Sequence, residues 1–328
     1  MRGLIGKLAV LVAMIWATCA NAAADDNPWG QNYFPNLPVV TQDGKTLKFY
    51  DDVIKGKQVV VSFIYTTCPD VCPLTTARLA MVKDQLGEAM GRDVFFVSMT
   101  VDPETDTQPR MKAFADAFNT GPGWLFLTGK PEDIRTINRR FGNNSEVLSE
   151  HRYEIILGND VTGDWQRDSP FGDIATITYN IRGMSPKLSA MNVPATAGSN
   201  AESVVISDHP GETLFRKICT PCHTVGVGNR VGPDLRDVAA RRTDAWLEAF
   251  IANPAKVRAS GDSVALQLNS EFPGVKMPAL GLTPTDVQDL ITYLKAATAR
   301  LEPPPELKLA DHDHTKHHHD NSKMPMPN

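Results

Sequence analysis

Cys219-Thr220-Pro221-Cys222-His223 restricts this chain more than any other feature. A C-x-x-C-H run places two thiols and an imidazole within one helical turn. That is what a haem needs to form two thioethers through its vinyl groups and to have its iron reached. The competing reading is a thioredoxin-type C-x-x-C with an incidental histidine. No β-strand pattern precedes the motif, however, and Gly211-Glu-Thr-Leu-Phe215 leads in as an amphipathic helix. After His223 the methionine inside the domain is Met277, in Val275-Lys-Met-Pro278, while Met324 and Met326 lie in the tail. A core methionine filling a gap is the alternative. As an axial ligand Met277 would raise the iron potential and leave no open position for substrate. The expected cofactor is one covalent haem c, with Cys219 and Cys222 as thioether anchors and His223 and Met277 on the iron.

Five cysteines are present, and Cys19 sits in an apparent leader. Beyond the C-x-x-C-H run this leaves Cys68 and Cys72, so no thiol remains for structural disulfides. Spaced four apart, their sulfurs share one face if a helical turn begins here. Such a pair suits a soft ion such as Cu(I), and it can also cycle as a redox-active disulfide. Buried inert thiols are the bland alternative. A strand pattern at Gln58–Tyr65 puts the pair at a strand's C-terminal end, a usual position for sites in α/β folds.

The length of 328 residues fits about two domains. Arg2, Lys7, the apolar run Leu8–Trp16 and Ala20-Asn21-Ala22 read as a signal peptide over 1–22. Removal by signal peptidase ranks ahead of a lipid anchor on Cys19, and no other apolar stretch is long enough to span a bilayer. The mature protein is expected in the periplasm, without a transmembrane span. Residues 29–182 alternate strand and helix patterns, giving an α/β sheet with helices on both faces. Strands are expected at Gln58–Tyr65, Asp93–Val101, Trp124–Leu127, Tyr153–Leu157 and Ile174–Asn180. Helices are expected at Thr75–Met90, Pro109–Asn119 and Pro131–Phe141. Residues 183–205 have linker composition. The pattern over 206–300 is all-α, with helices at Asp244–Ile251 and Thr285–Ala299, where Thr283 and Thr285 are both plausible N-caps. Residues 301–328 form a His/Met-rich tail. Net charge is −5 with no broad basic block, which gives nucleic-acid binding no support.

Two resemblances follow. Phe215, the CTPCH run, Gly232-Pro233-Asp234-Leu235, Lys276-Met277-Pro278 and a last helix with Tyr293 resemble class I cytochrome c over about 90 residues. That resemblance implies that the Pro233 backbone faces and orients His223. Ser62-Phe-Ile-Tyr-Thr-Thr-Cys68-Pro-Asp-Val-Cys72-Pro73 resembles the copper loop of the Sco/SenC family, supported by Ser98-Met-Thr-Val-Asp-Pro-Glu-Thr-Asp106-Thr107 and Leu127-Thr-Gly129. It implies a thioredoxin-like domain that supplies copper to the binuclear CuA site of cytochrome c oxidase. It also implies a third copper ligand, a downstream histidine. His223 belongs to haem and His209 precedes the haem helix, so the role falls to His151. The family usually has Asp before this histidine, where Glu150 stands here, and Gly158–Pro170 departs from the usual short strand-turn pattern.

The tail carries His312, His314, His317, His318 and His319 among acidic residues, a composition that binds Cu, Ni or Zn loosely or stays solvated. Asp102 and Asp106 read as loop caps after a strand rather than as paired catalytic carboxylates. The expected function is copper delivery to, or maturation of, the CuA subunit or another cuproenzyme, the haem exchanging single electrons with copper or thiols. The alternatives are a thiol-disulfide reductase for the CuA cysteines, and an electron-transfer cytochrome with an upstream docking domain that serves a redox partner protein.

Overall fold

The computed structural model describes residues 28–145, 147–190 and 209–301. The leader with Cys19, most of the 183–205 segment, and the tail from 302 with its five histidines lie outside the described residues.

The first unit is built on a seven-stranded sheet of order β2-β1-β5-β4-β3-β6-β7. Its strands are Pro38–Thr41 (β1), Thr46–Lys48 (β2), Gln58–Ile64 (β3), Val94–Thr100 (β4), Trp124–Thr128 (β5), Ile155–Asn159 (β6) and Asp164–Asp168 (β7). The middle three run parallel, with Val60 opposite Phe96 and Val97 opposite Leu125. The strands outside them pair antiparallel. β3 is buried at all seven positions, as a central strand covered on both faces must be. Its alternation sends Val60 and Ile64 to one face and Val59, Val61 and Phe63 to the other. The first face is covered by Val71–Leu86 (α1), Gln108–Ala117 (α2) and Ile174–Gly183 (α4). The second is covered by Pro131–Arg140 (α3) and the N-terminal segment through Phe34, Phe49 and Ile54. This is the thioredoxin-like α/β arrangement expected.

Ile174–Asn180, read from its β-branched residues as a strand, is instead the helix α4. The Asp173 carboxylate accepts from Thr176 N–H at 2.9 Å and caps it. Ile177 and Ile181 then sit at i and i+4 in the core, so packing at helical spacing outweighs β propensity. The helix expected from Thr75 starts four residues earlier, at Val71. Part of the expected linker is also placed. Ser185 caps the short helix Pro186–Ser189 (α5), and Leu188 is buried in the first core. The departure noted after Gly158 is the β6–β7 hairpin itself, turning at Gly163.

The second unit is helical, with Pro210–Leu214 (α6) running on through the wider turn Phe215–Cys219. Then come Val238–Arg241 (α7), Asp244–Ala252 (α8), Pro254–Ala259 (α9), Ser263–Glu271 (α10) and Pro284–Ala299 (α11). Thr283 is the cap of α11, in a reciprocal capping box with Asp286. Phe215, Leu247, Ile251, Val287, Leu290 and Leu294 form its core. Among the described residues no helix is long and apolar enough to cross a membrane.

Candidate metal centre and haem pocket

The loop between β3 and α1 carries Cys68, and Cys72 opens the first turn of α1. Asp106, fully buried, holds this loop from below. Its carboxylate accepts from Thr66 N–H at 3.0 Å, from the Thr66 hydroxyl at 2.5 Å and from the Thr100 hydroxyl at 2.6 Å. Burial still pushes its pKa up against those bonds. Asp106 therefore is a cap, as its sequence position suggested, but one that reaches the cysteine loop.

The two sulfurs are strongly coupled. Cys72 N–H donates to the Cys68 sulfur at 3.3 Å. The hydrogen bond from the Cys72 thiol, with those from the Cys72 and Asp70 backbone N–H groups, holds Cys68 down to about 5 despite burial. Cys72 is pushed up by that same bond and by its burial. At neutral pH the pair therefore holds one thiolate on Cys68 and one thiol on Cys72, a soft anionic donor beside a second sulfur.

His151 follows the turn Leu148–Glu150 and is 4% exposed. Its Nδ1 lies 2.6 Å from the Leu148 carbonyl, an acceptor only, so the proton belongs on Nδ1. That leaves the Nε2 lone pair facing the Cys72 sulfur at 4.0 Å. Donors sharing one tetrahedral or trigonal ion at bond lengths near 2.0–2.3 Å stand roughly 3.5–3.7 Å apart, so a small closing movement completes the set. In agreement with that gap, no cluster of three His, Cys, Asp or Glu side chains among the described residues is already assembled around a metal position. Tyr65 and Tyr153 meet the imidazole edge-on at 5.4 and 4.7 Å between centroids, shielding it from water. Glu150 does not join this group; its carboxylate accepts from the Ser145 hydroxyl.

In the second unit Cys219, Cys222, His223 and Met277 all line one open cavity. Phe215, Leu235, Trp246, Phe250, Leu280 and Leu294 give it apolar walls. His223 Nδ1 donates to the Pro233 carbonyl at 2.9 Å, leaving Nε2 as the free ring nitrogen. Burial lowers the His223 pKa, keeping the ring neutral as a metal ligand requires. Gly232 is indispensable to this arrangement, since a Cβ there would lie 2.6 Å from His223 Cε1. Burial pushes the Cys219 and Cys222 thiols up to about 12, so neither is a thiolate nucleophile of the thioredoxin kind. Two adjacent thiols, a neutral imidazole with one free nitrogen and a methionine on the wall of the same apolar cavity fit a covalent haem.

Three supporting residues escaped the sequence reading. Burial works against the Asp234 carboxylate, but N–H groups of Gly226, Arg236 and Gly228 and the Thr224 hydroxyl hold it down to about 2. It thereby fixes the loop that presents Pro233. Arg258 donates to the Met277 carbonyl at 3.3 Å. Tyr153, two residues on, packs edge-on against His151. Of these, Asp234 alone had a sequence signal, its place in the Gly232–Leu235 run.

A SCO1/SenC family model matches residues 31–157, and a cytochrome c family model matches residues 209–298. The chain is similar to protein SenC of Rhodobacter capsulatus, 38% identical over 191 residues, covering 58% of this chain and 74% of that protein. It is 34% identical over 127 residues to the mitochondrial SCO1 homolog 1 of Arabidopsis thaliana, covering 36% of this chain and 37% of that protein. It is 31% identical over 130 residues to the SCO1 homolog of Bacillus subtilis, covering 39% of this chain and 65% of that protein. The chain thus spans less than two thirds of the last two relatives. Similar solved structures include Arabidopsis thaliana ScoI with copper bound, at 25% identity and TM-score 0.39 over 44% of this chain and 92% of that one. Another is a SCO1/SenC family lipoprotein from Bacillus anthracis, at 28% identity and TM-score 0.40 over 46% of this chain and 93% of that one.

Proposed function

This chain belongs to the SCO1/SenC family and carries a cytochrome c domain, and on that premise we propose that it is an exported copper carrier for the CuA site of cytochrome c oxidase. Copper is the cargo. Cys68 and Cys72 bind it, and His151 closes the set through Nε2. The observation that carries this reading is the 4.0 Å approach of a lone-pair-bearing Nε2 to one sulfur of a pair that already holds a thiolate.

Cys219, Cys222, His223 and Met277 would hold one haem. Bound there, it supplies one-electron chemistry, which matches the Cu(I)/Cu(II) couple better than a two-electron disulfide. The leader over 1–22 directs the protein to the periplasm, and the domains divide after the short helix Pro186–Ser189. The His-rich tail adds weak copper sites.

A second reading rests on the Cys68 thiolate. Held down to about 5 beside a thiol, it is also a competent nucleophile for thiol-disulfide exchange with the CuA cysteines. Copper titration separates the two. The carrier reading expects one tightly bound copper per chain, lost in Cys68→Ser. A protein that reduces a target disulfide but binds no stoichiometric copper is a reductase instead.

A further inference from the structure

α1 and the residue before it bond two segments of the second unit, one beside Met277 and one beside Cys219. Asp70, directly before α1, occupies the position where an aspartate normally caps its own helix, yet it makes no such cap. Its carboxylate instead accepts from Ala279 N–H at 3.1 Å, two residues beyond Met277. Arg78, in the third turn of α1, is 7% exposed. Its Nε donates to the Pro170 carbonyl at 2.6 Å, its Nη2 to the Gly172 carbonyl, and its Nη1 to the Lys217 carbonyl at 3.0 Å, two residues before Cys219. A buried guanidinium keeps its charge and needs acceptors, and the third acceptor comes from the other unit.

Two further contacts lie beside these. Gly274 packs against α2 so closely that a Cβ there would fall 2.2 Å from Ala117 Cβ. Cys222, Val231 and Val275 rest against the core cluster that contains Cys68 and Cys72. All four contacts join the first unit to the second.

We propose that Asp70 and Arg78 are positioning residues that lock the haem-binding unit onto the Cys68–Cys72 loop, making the two sites one docked pair rather than tethered domains. The purpose of the docking rests on the copper and haem reading above; the docking itself does not. One electron leaving the reduced haem for Cu(II) at the cysteine pair, giving oxidised haem and Cu(I), then needs no diffusive encounter between the two units.

The test uses the full-length, haem-loaded protein and its Asp70→Ala, Gly274→Val, combined and Asp70→Asn variants. Amide exchange at Ala279 is expected to speed up at least about tenfold in Asp70→Ala, the loss of one charge-assisted bond. Asparagine keeps an oxygen acceptor, so Asp70→Asn should restore protection, which a merely structural aspartate would not require. After one equivalent of Cu(II) is added to the reduced protein, haem oxidation should be first order and independent of protein concentration in the parent and Asp70→Asn. In the combined variant it should slow at least about tenfold. Parent-like exchange and kinetics in the combined variant would overturn the docking. If the parent binds no copper, the copper reading fails, and the exchange data alone decide the docking.

Discussion

The Cys68 thiolate gives a prediction whose shape follows from the structure. With the thiol held down to about 5 by the Cys72 thiol and N–H, alkylation of Cys68 should barely depend on pH between 6 and 8. A thiol of pKa about 5 goes from about 91% to nearly 100% ionised over that interval, whereas an ordinary thiol near 8.5 gains roughly 75-fold in thiolate. Intrinsic nucleophilicity falls as the pKa falls, at a Brønsted slope of about 0.4–0.5, so the 3.5-unit drop costs roughly 25- to 55-fold. That about cancels the roughly 30-fold thiolate advantage at pH 7, leaving Cys68 faster than a free thiol at pH 6 and slower at pH 8. Near-burial of the sulfur lowers the whole curve without changing its slope. Metal-free, haem-loaded protein, in which thioethers would take Cys219 and Cys222 out of the reaction, would be reacted with iodoacetamide and followed by mass spectrometry. Cys72→Ala should restore a steep rise with pH. A rise approaching tenfold per pH unit from 6 to 8 in the parent would refute the coupled-pair reasoning.

Stability follows with a definite sign. Cys68 is depressed on folding, so its contribution is complete above the unfolded thiol range near 8.5 and is lost as pH falls through about 5. Cys72 is raised, so its contribution is complete below that range and lost above it. Denaturant midpoints of the parent relative to the double Cys→Ala variant should therefore peak near pH 8–9.

Gly232→Ala drives a Cβ into the His223 ring, so the ring must turn and give up Pro233. The cost should be about 2–4 kcal/mol in thermal unfolding, with altered axial-ligand absorbance; an unchanged spectrum argues against the pocket. Asp106→Ala leaves Thr66 N–H and the Thr100 hydroxyl without their acceptor, for about 2–4 kcal/mol in urea unfolding, and a loss under 0.5 contradicts its anchoring role. His151→Ala should weaken copper at least about tenfold in a competition titration while leaving the Cys68 alkylation profile flat, and unchanged affinity removes His151 from the site.

The cysteine and haem motifs were legible because their chemistry fixes spacing within a single turn. The central strands were legible because continuous burial leaves continuous apolar runs. Other elements hid for identifiable reasons. Ile174–Gly183 carries strand-like residues on a helix that tertiary packing selects, although the cap Asp173 was visible. β7 is a charged edge strand whose pattern shows only at Trp165. Asp70 stands directly before α1 and bonds another unit, a long-range fact that no local pattern encodes. His151 could be named, but its orientation depends on the Leu148 carbonyl, which sequence does not reveal.

The most direct measurement is metal content with copper-edge X-ray absorption on the purified full-length protein after copper loading. The account predicts one sulfur-ligated copper for each haem, the copper lost and the haem kept in Cys68→Ser/Cys72→Ser. One haem per chain with no bound copper, or copper without sulfur ligands, would contradict it.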